Sequence, residues 1–310
     1  MTRFIDEITA FLEGEGFECS RQTSDGTEII CTHTLDRRHS KIILPMEITA
    51  ASALQAAEAS DRAYACVQLI STLEDQPLII TEDRWRSQKA MTRARILAHL
   101  ELFNQAFARN CEIRRIEKAE ARDFLTRNHS YGYAACRYHY GLFLKRQTGH
   151  LAVPAGDKES SLVPGMLIAV ATFSNARKWT KGERVIKSYE WTRYASLPDL
   201  RVSGGMGKML KTFINDVHPD DIMSYADLEW SRGDVYSQLG FVLEGQKEPV
   251  MFSVDPLTWE RSPIRSGMTD VVRPGMTATS GGPIIPGPAG NLFLRNFGSN
   301  KYRLKLTEYE

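Results

Sequence analysis

The residues whose types and spacing suit chemistry lie in two stretches of the second half of the chain. The first is Arg184-Val-Ile-Lys-Ser-Tyr-Glu-Trp-Thr-Arg-Tyr, followed by Arg201-Val-Ser-Gly-Gly-Met-Gly-Lys-Met-Leu. An extended run leads into Ser203, Gly204, Gly205, Met206 and Gly207, and an amphipathic helical pattern opens at Lys208. Glycines let the backbone turn tightly and approach a ligand, and the first N–H groups of a helix have no intrahelical acceptor. Such a turn is a ready anion site suited to a pyrophosphate. A plain strand-to-helix turn accounts for the same letters, because a lone glycine turn is a weak signal. The second stretch is Ile222-Met-Ser-Tyr-Ala-Asp-Leu-Glu-Trp-Ser-Arg-Gly-Asp-Val-Tyr-Ser-Gln-Leu-Gly-Phe. Here a strand ends in polar residues, and a short helix carries Tyr236 four positions before Gly240, a glycine suited to ending a helix in the left-handed region. A phenol beside the end of a strand can donate a proton. Core packing is the other account of a single tyrosine.

Arg177, Lys178 and Arg193 have the chemistry to position a phosphate-bearing molecule, or else keep a loop soluble. Tyr131, Tyr133, Tyr138 and Tyr140, broken by Arg137, suit stacking on a base, and equally suit a strand. Trp230 joins them as a candidate substrate contact. The five cysteines, Cys19, Cys31, Cys66, Cys111 and Cys136, show no CxxC or CxH pairing. That scatter argues against a disulfide framework and a zinc site, and no metal is expected.

These residues need a scaffold, and the composition supplies one. The chain has 310 residues, 42% hydrophobic and 25% charged, an ordinary globular balance with room for two domains. A formal charge of +1 excludes a polybasic tail, though not a local basic face. Apolar runs such as Met166–Thr172 fall far short of the ~20 residues a membrane helix needs. Acids at the start stand where a signal peptide would be apolar, so the expected location is the cytoplasm.

Residues 1–110 read as a small α/β domain. Phe4, Ile5, Ile8, Phe11 and Leu12 repeat at helical spacing, and Gly14 and Gly16 end that helix. Extended runs follow at Glu28–Thr32 and Lys41–Ile48, then a helix over Ala50–Ala63 and strands at Cys66–Ser71 and Leu78–Thr81. A long helix starts at Glu82, capped by Thr81, and runs toward Phe107. Residues 111–259 read as a mixed sheet in the order β-α-β-β-β-α-β-α-β-β, with helices at Ala119–Asn128, Lys208–Val217 and Asp234–Leu239 and the last strand at Val250–Val254. Residues 260–310 read as a proline- and glycine-rich arm whose last stretch, Phe293–Leu306, returns as an edge strand.

The glycine turn and the Tyr236 helix together resemble the GNAT superfamily of acyl-CoA N-acyltransferases. The resemblance implies an α+β fold with a mixed sheet flanked by helices, an acyl-CoA cofactor such as acetyl-CoA, and a pyrophosphate lined by Val202, Gly205, Gly207 and Lys208 with the turn between them. It implies Tyr236 as the general acid for the departing thiolate. The family's usual Gln or Arg ahead of the glycines falls on Val202, with Arg201 adjacent. The resemblance also puts His129, at the Asn-His-Ser turn, near the acceptor, where an imidazole is a base near pH 7. Asp227, Glu229 and Glu190 are the alternative bases.

A wider likeness covers Ile79-Ile-Thr-Glu-Asp-Arg-Trp, Phe107-Ala-Arg-Asn-Cys-Glu-Ile-Arg-Arg-Ile, Phe124-Leu-Thr-Arg-Asn-His-Ser-Tyr-Gly-Tyr, Tyr140-Gly-Leu-Phe, Thr172-Phe-Ser-Asn-Ala-Arg and Ser224-Tyr-Ala-Asp-Leu-Glu-Trp-Ser. In that order these resemble a group of phage and mobile-element proteins in which a nuclease-like region precedes a GNAT-like domain. They are more distantly similar to phage Mom-type DNA-modifying enzymes. The likeness implies a first domain related to a degraded restriction-endonuclease-like fold and an acceptor that is a nucleic-acid base or a nucleic-acid-associated amine, with DNA or RNA as partner. Two alternatives stand beside this. One is a non-catalytic nucleic-acid-binding protein, using Arg84, Arg86, Lys89, Arg93 and Arg95 as a basic helix side. The other is a metal-dependent nuclease in the first domain, with Glu47 as a ligand and Gln68 on the next strand in place of a Lys.

Overall fold

A computed structural model describes residues 3–24, 26–34, 40–71, 76–146, 162–264 and 290–308. The fold class is α+β, with mixed sheets flanked by helices. The chain forms two compact units, each assembled from separate stretches. One holds Met1–Thr92, Asp227–Trp230 and Lys247–Ser299; the other holds Arg93–Ala226, Ser231–Gln246 and Asn300–Glu310. The division falls at Thr92 rather than near Asn110 because strand Asn104–Phe107 pairs in parallel with Leu200–Ser203.

In the first unit, helix Phe4–Gly14 buries Phe4, Ile5, Ile8, Phe11 and Leu12 along one face, as their spacing requires. Strands Phe17–Ser24, Thr27–Thr34 and Ser40–Met46 form an antiparallel meander. Leu78–Thr81 then pairs in parallel with Ser40–Met46 after the crossover helix Ala53–Ile70. That helix includes the run Cys66–Ile70 expected as a strand. Its buried residues Ala56, Ser60, Ala63 and Cys66 recur every three or four positions, so the short apolar run is the end of a helix face. The helix expected from Glu82 is two helices, Glu82–Ser87 and Lys89–His99, parted at Gln88, and Asn104–Phe107 is a strand. Thr81 makes no side-chain cap; its hydroxyl accepts from Arg261 at 2.9 Å instead. Met251–Val254, expected in the second domain's sheet, pairs here with Arg261–Pro263 and Leu292–Arg295. The Pro/Gly-rich arm therefore begins as a strand, and its residues 265–289 lie outside the described residues, as does most of the loop 146–165.

The second unit is built on one large sheet. Its strands lie in the spatial order Val242–Lys247, Ser299–Lys305, Asp221–Asp227, Arg184–Ser196, Leu167–Phe173, Tyr138–Leu144 and Cys111–Arg115. Arg177–Lys181 forms a hairpin with the long strand Arg184–Ser196. The returning strand Ser299–Lys305 is internal rather than at an edge; Tyr302 is buried, and Arg303 pairs with Asp221 and Glu244 on the two neighbouring strands. Helix Gly205–Val217 covers one face with Met209, Leu210 and Phe213, the Phe213 ring stacking on Phe173 at 3.9 Å. Helix Lys118–Asn128 covers the other, packing Ala121, Phe124 and Leu125 on Val170 and Ala195.

Candidate active site

The sheet of the second unit opens at one place. Arg184–Ser196 and Asp221–Asp227 run parallel, and they pair only over Ser188–Glu190 and Asp221–Met223. Beyond that point both strands continue without ladder pairing to each other, an opening in the ladder. On its other edge the long strand keeps its ladder to Leu167–Phe173, but with a bulge: Trp191 faces Phe173, and the next paired residue, Arg193, faces Thr172. Directly opposed residues share a face of a sheet. Trp191 therefore lies with Phe173, while Arg193, two residues on, crosses to the opposite face. That is the face of Glu190. The bulge thus sets a carboxylate and a guanidinium on the same side of the opening.

The Glu190 backbone and the Arg193 side chain are held. Glu190 has its N–H on the Ser174 hydroxyl and its carbonyl on the Ser174 N–H, each at 2.9 Å. Arg193 donates Nε to the Gly132 carbonyl at 3.2 Å and Nη1 to the Thr192 carbonyl at 2.8 Å, and lies 5.9 Å from the Tyr131 ring centroid. Burial lowers the Arg193 pKa, against the pull of Cys136, Glu190, Tyr131 and Tyr236 around it.

Tyr236 borders the same opening. Gly233 (φ 94°) starts the five-residue helix Asp234–Gln238, and Gly240 (φ 86°) ends the turn after it, as expected. The Tyr236 ring stacks on Tyr302 at 5.3 Å and meets Phe241 and Trp191 edge-on at 5.5 and 6.2 Å. Its hydroxyl lies 2.8 Å from Ser224 Oγ, which is 2.9 Å from the Trp191 carbonyl. Burial pushes the phenol above its usual pKa, while Ser224 and Arg193 pull it back.

The glycine turn lies close to Tyr194 on the long strand and to Leu239 just after the Tyr236 helix. Gly204 takes φ 75° as the N-cap residue of Gly205–Val217, a helix with no side-chain cap and no acid in its first turn. The N–H groups of Gly205, Met206 and Gly207 find no acceptor among the described residues, as expected of uncapped first-turn amides. A Cβ at Gly205 would stand 3.0 Å from the Tyr194 hydroxyl, and one at Gly207 3.2 Å from Leu239, three residues past Tyr236. A side chain at either position would therefore be tight, more so at Gly205, where Val202 also stands within 3.1 Å. The orphan donors and the positive end of the helix fit a pyrophosphate group. Val202 is buried behind the turn, and Ser203 accepts from Gln105 at 2.9 Å. The Lys208 ammonium donates to the Ala108 and Cys111 carbonyls at 2.9 and 2.5 Å, which fix it against the strand Cys111–Arg115.

The remaining candidates lie elsewhere. His129 ends its helix and accepts the Tyr131 N–H on Nδ1 at 3.1 Å, a local turn contact. Asp227 and Trp230 belong to the first unit, where Asp227 pairs with Arg84 at 3.5 Å and Trp230, 8% exposed, lies 6.0 Å from that guanidinium. Glu229 is fully engaged with Arg84 and Arg261 at 2.7 and 2.8 Å. Arg177 and Lys178 stand exposed opposite Ser188 and Lys187, about 16 Å along the strand from Arg193. The basic helix side is not free: Arg84 is buried, Arg86 pairs with Glu7 and Glu82, Lys89 lies 5.8 Å from the Trp85 ring, and Arg95 reaches Ser130. Glu47 borders an open cavity of about 230 Å³ with Gln55, Glu58 and Arg62; Gln68 is on a helix, not a strand. Ser224 and the bulge escaped the sequence reading. Ser224 was visible only as a polar residue among apolar ones on a strand.

No family model and no curated protein matches the chain. Among solved structures it is similar to a mutant of the toxin AtaT bound to the C-terminus of the antitoxin AtaR and acetyl-CoA. The TM-score is 0.26 and the identity 12%, over 44% of this chain and 87% of that one. So slight a likeness assigns no activity to this chain. No helix among the described residues is long and apolar enough to cross a membrane.

Proposed function

We propose that the second unit is a GNAT-type N-acyltransferase that uses an acyl-CoA donor and acts on a nucleic-acid base or a nucleic-acid-associated amine. The observation that carries this reading is the end of the ladder between two parallel strands, bordered by orphan helix N–H groups, a buried phenol and the Glu190 carboxylate on a backbone fixed by Ser174. A bound acyl-CoA supplies a thioester, whose carbonyl carbon accepts an amine and whose sulfur leaves as thiolate. The amides of Gly205, Met206 and Gly207 hold the pyrophosphate. Glu190 takes the proton from the amine, and Tyr236 Oη gives one to the sulfur. His129 and Asp227 are left to structural contacts. Tyr131, partly exposed 5.9 Å from the Arg193 guanidinium, is an aromatic ring suited to stacking on a base.

Calorimetric titration with acetyl-CoA tests the donor half. Gly204 already occupies the left-handed region, which Asp and Asn tolerate best among other residues, and a Cβ there meets only Ala108 at 3.6 Å. Gly204→Asp places a carboxylate over the turn's N–H groups, while Gly204→Asn makes a neutral cap on the same backbone. We expect wild type to bind, Gly204→Asn to bind more weakly, and Gly204→Asp to lose binding while still folded. No heat with folded wild type sinks the reading. Mass spectrometry of oligonucleotides incubated with protein and acetyl-CoA tests the acceptor half; a protein that binds the donor and leaves every base unmodified removes the nucleic-acid acceptor alone.

A further inference from the structure

Where the two parallel strands part, the backbone ladder between them ends at Glu190 and Met223. The next link across the gap is a side chain: Ser224, 1% exposed, reaches the Trp191 carbonyl at 2.9 Å. The same oxygen lies 2.8 Å from Tyr236 Oη. Proton counting fixes the directions. The Trp191 carbonyl has no hydrogen, so Ser224 must use its one proton there. The remaining contact then has Tyr236 as donor and Ser224 as acceptor. The resting chain is Tyr236 O–H to Ser224 O–H to Trp191 C=O.

We infer that Ser224 is the positioning residue for Tyr236, aiming its hydroxyl at rest and stabilising the phenolate when its proton leaves. The inference rests on the acyl-transfer reading and deepens it. As the amine–carbon bond forms and the carbon–sulfur bond breaks, the electron pair goes to sulfur and the Tyr236 proton follows it. Ser224 then rotates its proton from the Trp191 carbonyl to the phenolate oxygen, keeping one hydrogen bond throughout. The proton taken from the amine returns to Tyr236 through solvent, so the cycle yields amide and thiol with no net proton change. Tyr236 cannot drift during this swing, because Tyr302, Phe241 and Trp191 hold its ring on three sides. Burial opposes the phenolate, and Ser224 is the hydroxyl that offsets it.

The test is a double-mutant cycle with a readout in the ligand-free protein. Ser224→Ala removes a buried hydroxyl without adding volume, and Tyr236→Phe keeps the ring packing. We expect Ser224→Ala to lower kcat about tenfold or more with KM for acyl-CoA unchanged, and to have no further effect in a Tyr236→Phe background. In protein carrying carbon-13 at the tyrosine ζ position, the Tyr236 resonance, identified by its loss in Tyr236→Phe, should titrate at higher pH in Ser224→Ala. An equal fall of kcat in both backgrounds, or an unmoved titration, overturns the inference and leaves Ser224 a packing residue. If wild type binds no acyl-CoA, the acyl-transfer reading fails by calorimetry and the role in transfer falls with it, while the titration still reports whether the hydroxyls are coupled.

Discussion

At the scale of single residues, the first unit holds a buried charge cluster whose members pair with one another. The segment Thr81–Trp85 engages every polar side chain it carries. Arg261 donates to Thr81 and to both oxygens of Asp83, Arg84 donates to Glu229, and Trp85 donates to Glu7 at 3.0 Å. Burial alone would raise the Glu229 carboxyl, but Arg261 and Arg84 outweigh it and hold it down to about 2. Its folded pKa is therefore depressed, so its contribution to stability is present above the ordinary carboxylate value of about 4.3 and fades as the pH falls through about 2. Glu229→Gln leaves two guanidiniums short of a counter-charge and should cost about 3–5 kcal/mol at pH 7. Because Gln does not titrate, the gap between variant and wild type should narrow between about pH 4 and about pH 2. Denaturant unfolding of both proteins across that range checks it; a gap that stays constant with pH would mean that Glu229 acts by shape rather than charge.

At the scale of elements, the candidate acid depends on a very short helix. Five residues, Asp234–Gln238, carry Tyr236, and too few hydrogen bonds form within so short a helix to fix it alone. Gly233 sets its direction: at φ 94°, a Cβ there would stand 2.6 Å from the Tyr302 ring and 2.7 Å from Ala226. Gly233→Ala should cost about 2–4 kcal/mol, from left-handed strain and overpacking together, and should reduce acyl transfer further by displacing the phenol from Ser224. Thermal melts with parallel kcat measurements check this; full kcat in a destabilised variant would show that Tyr236 is fixed from elsewhere. Gly240 shows what was legible in the letters, whereas Gly233 drew no reading. A glycine that ends a helix, the period of Phe4 to Leu12, and the apolar run Leu167–Phe173 all declare themselves locally. Cys66–Ile70 did not, because five apolar-rich residues fit a strand as well as a helix end. The bulge that brings Arg193 to the Glu190 face was invisible as well, since it exists only relative to Phe173 and Thr172 on another strand.

At the scale of the whole molecule, the chain order and the folded units do not coincide. A reading by contiguous stretches makes 111–259 a domain, yet two strands of the second unit lie outside it. Asn104–Phe107 precedes it and pairs with Leu200–Ser203, the strand that leads into the glycine turn. Ser299–Lys305 follows it and enters the sheet between Val242–Lys247 and Asp221–Asp227. No local pattern foretells such an insertion, because Ser299-Asn-Lys-Tyr-Arg-Leu-Lys has the polar look of an edge. Its work is long-range: Tyr302 Oη donates to the Arg232 carbonyl at 2.6 Å, its ring backs Tyr236, and Arg303 joins Asp221 to Glu244. Without this strand, Asp221–Asp227 has an unpaired edge, Asp221 loses its Arg303 counter-charge, and Tyr236 loses the ring behind it. A fragment of residues 111–259 should therefore show no cooperative thermal transition and no heat with acetyl-CoA, whereas the full chain shows both. Circular dichroism melts and calorimetry on the two proteins decide it. A fragment that melts sharply and binds would mean that the opening between the parallel strands holds its shape without the strand that flanks it, and that Tyr302 is not needed to support the phenol.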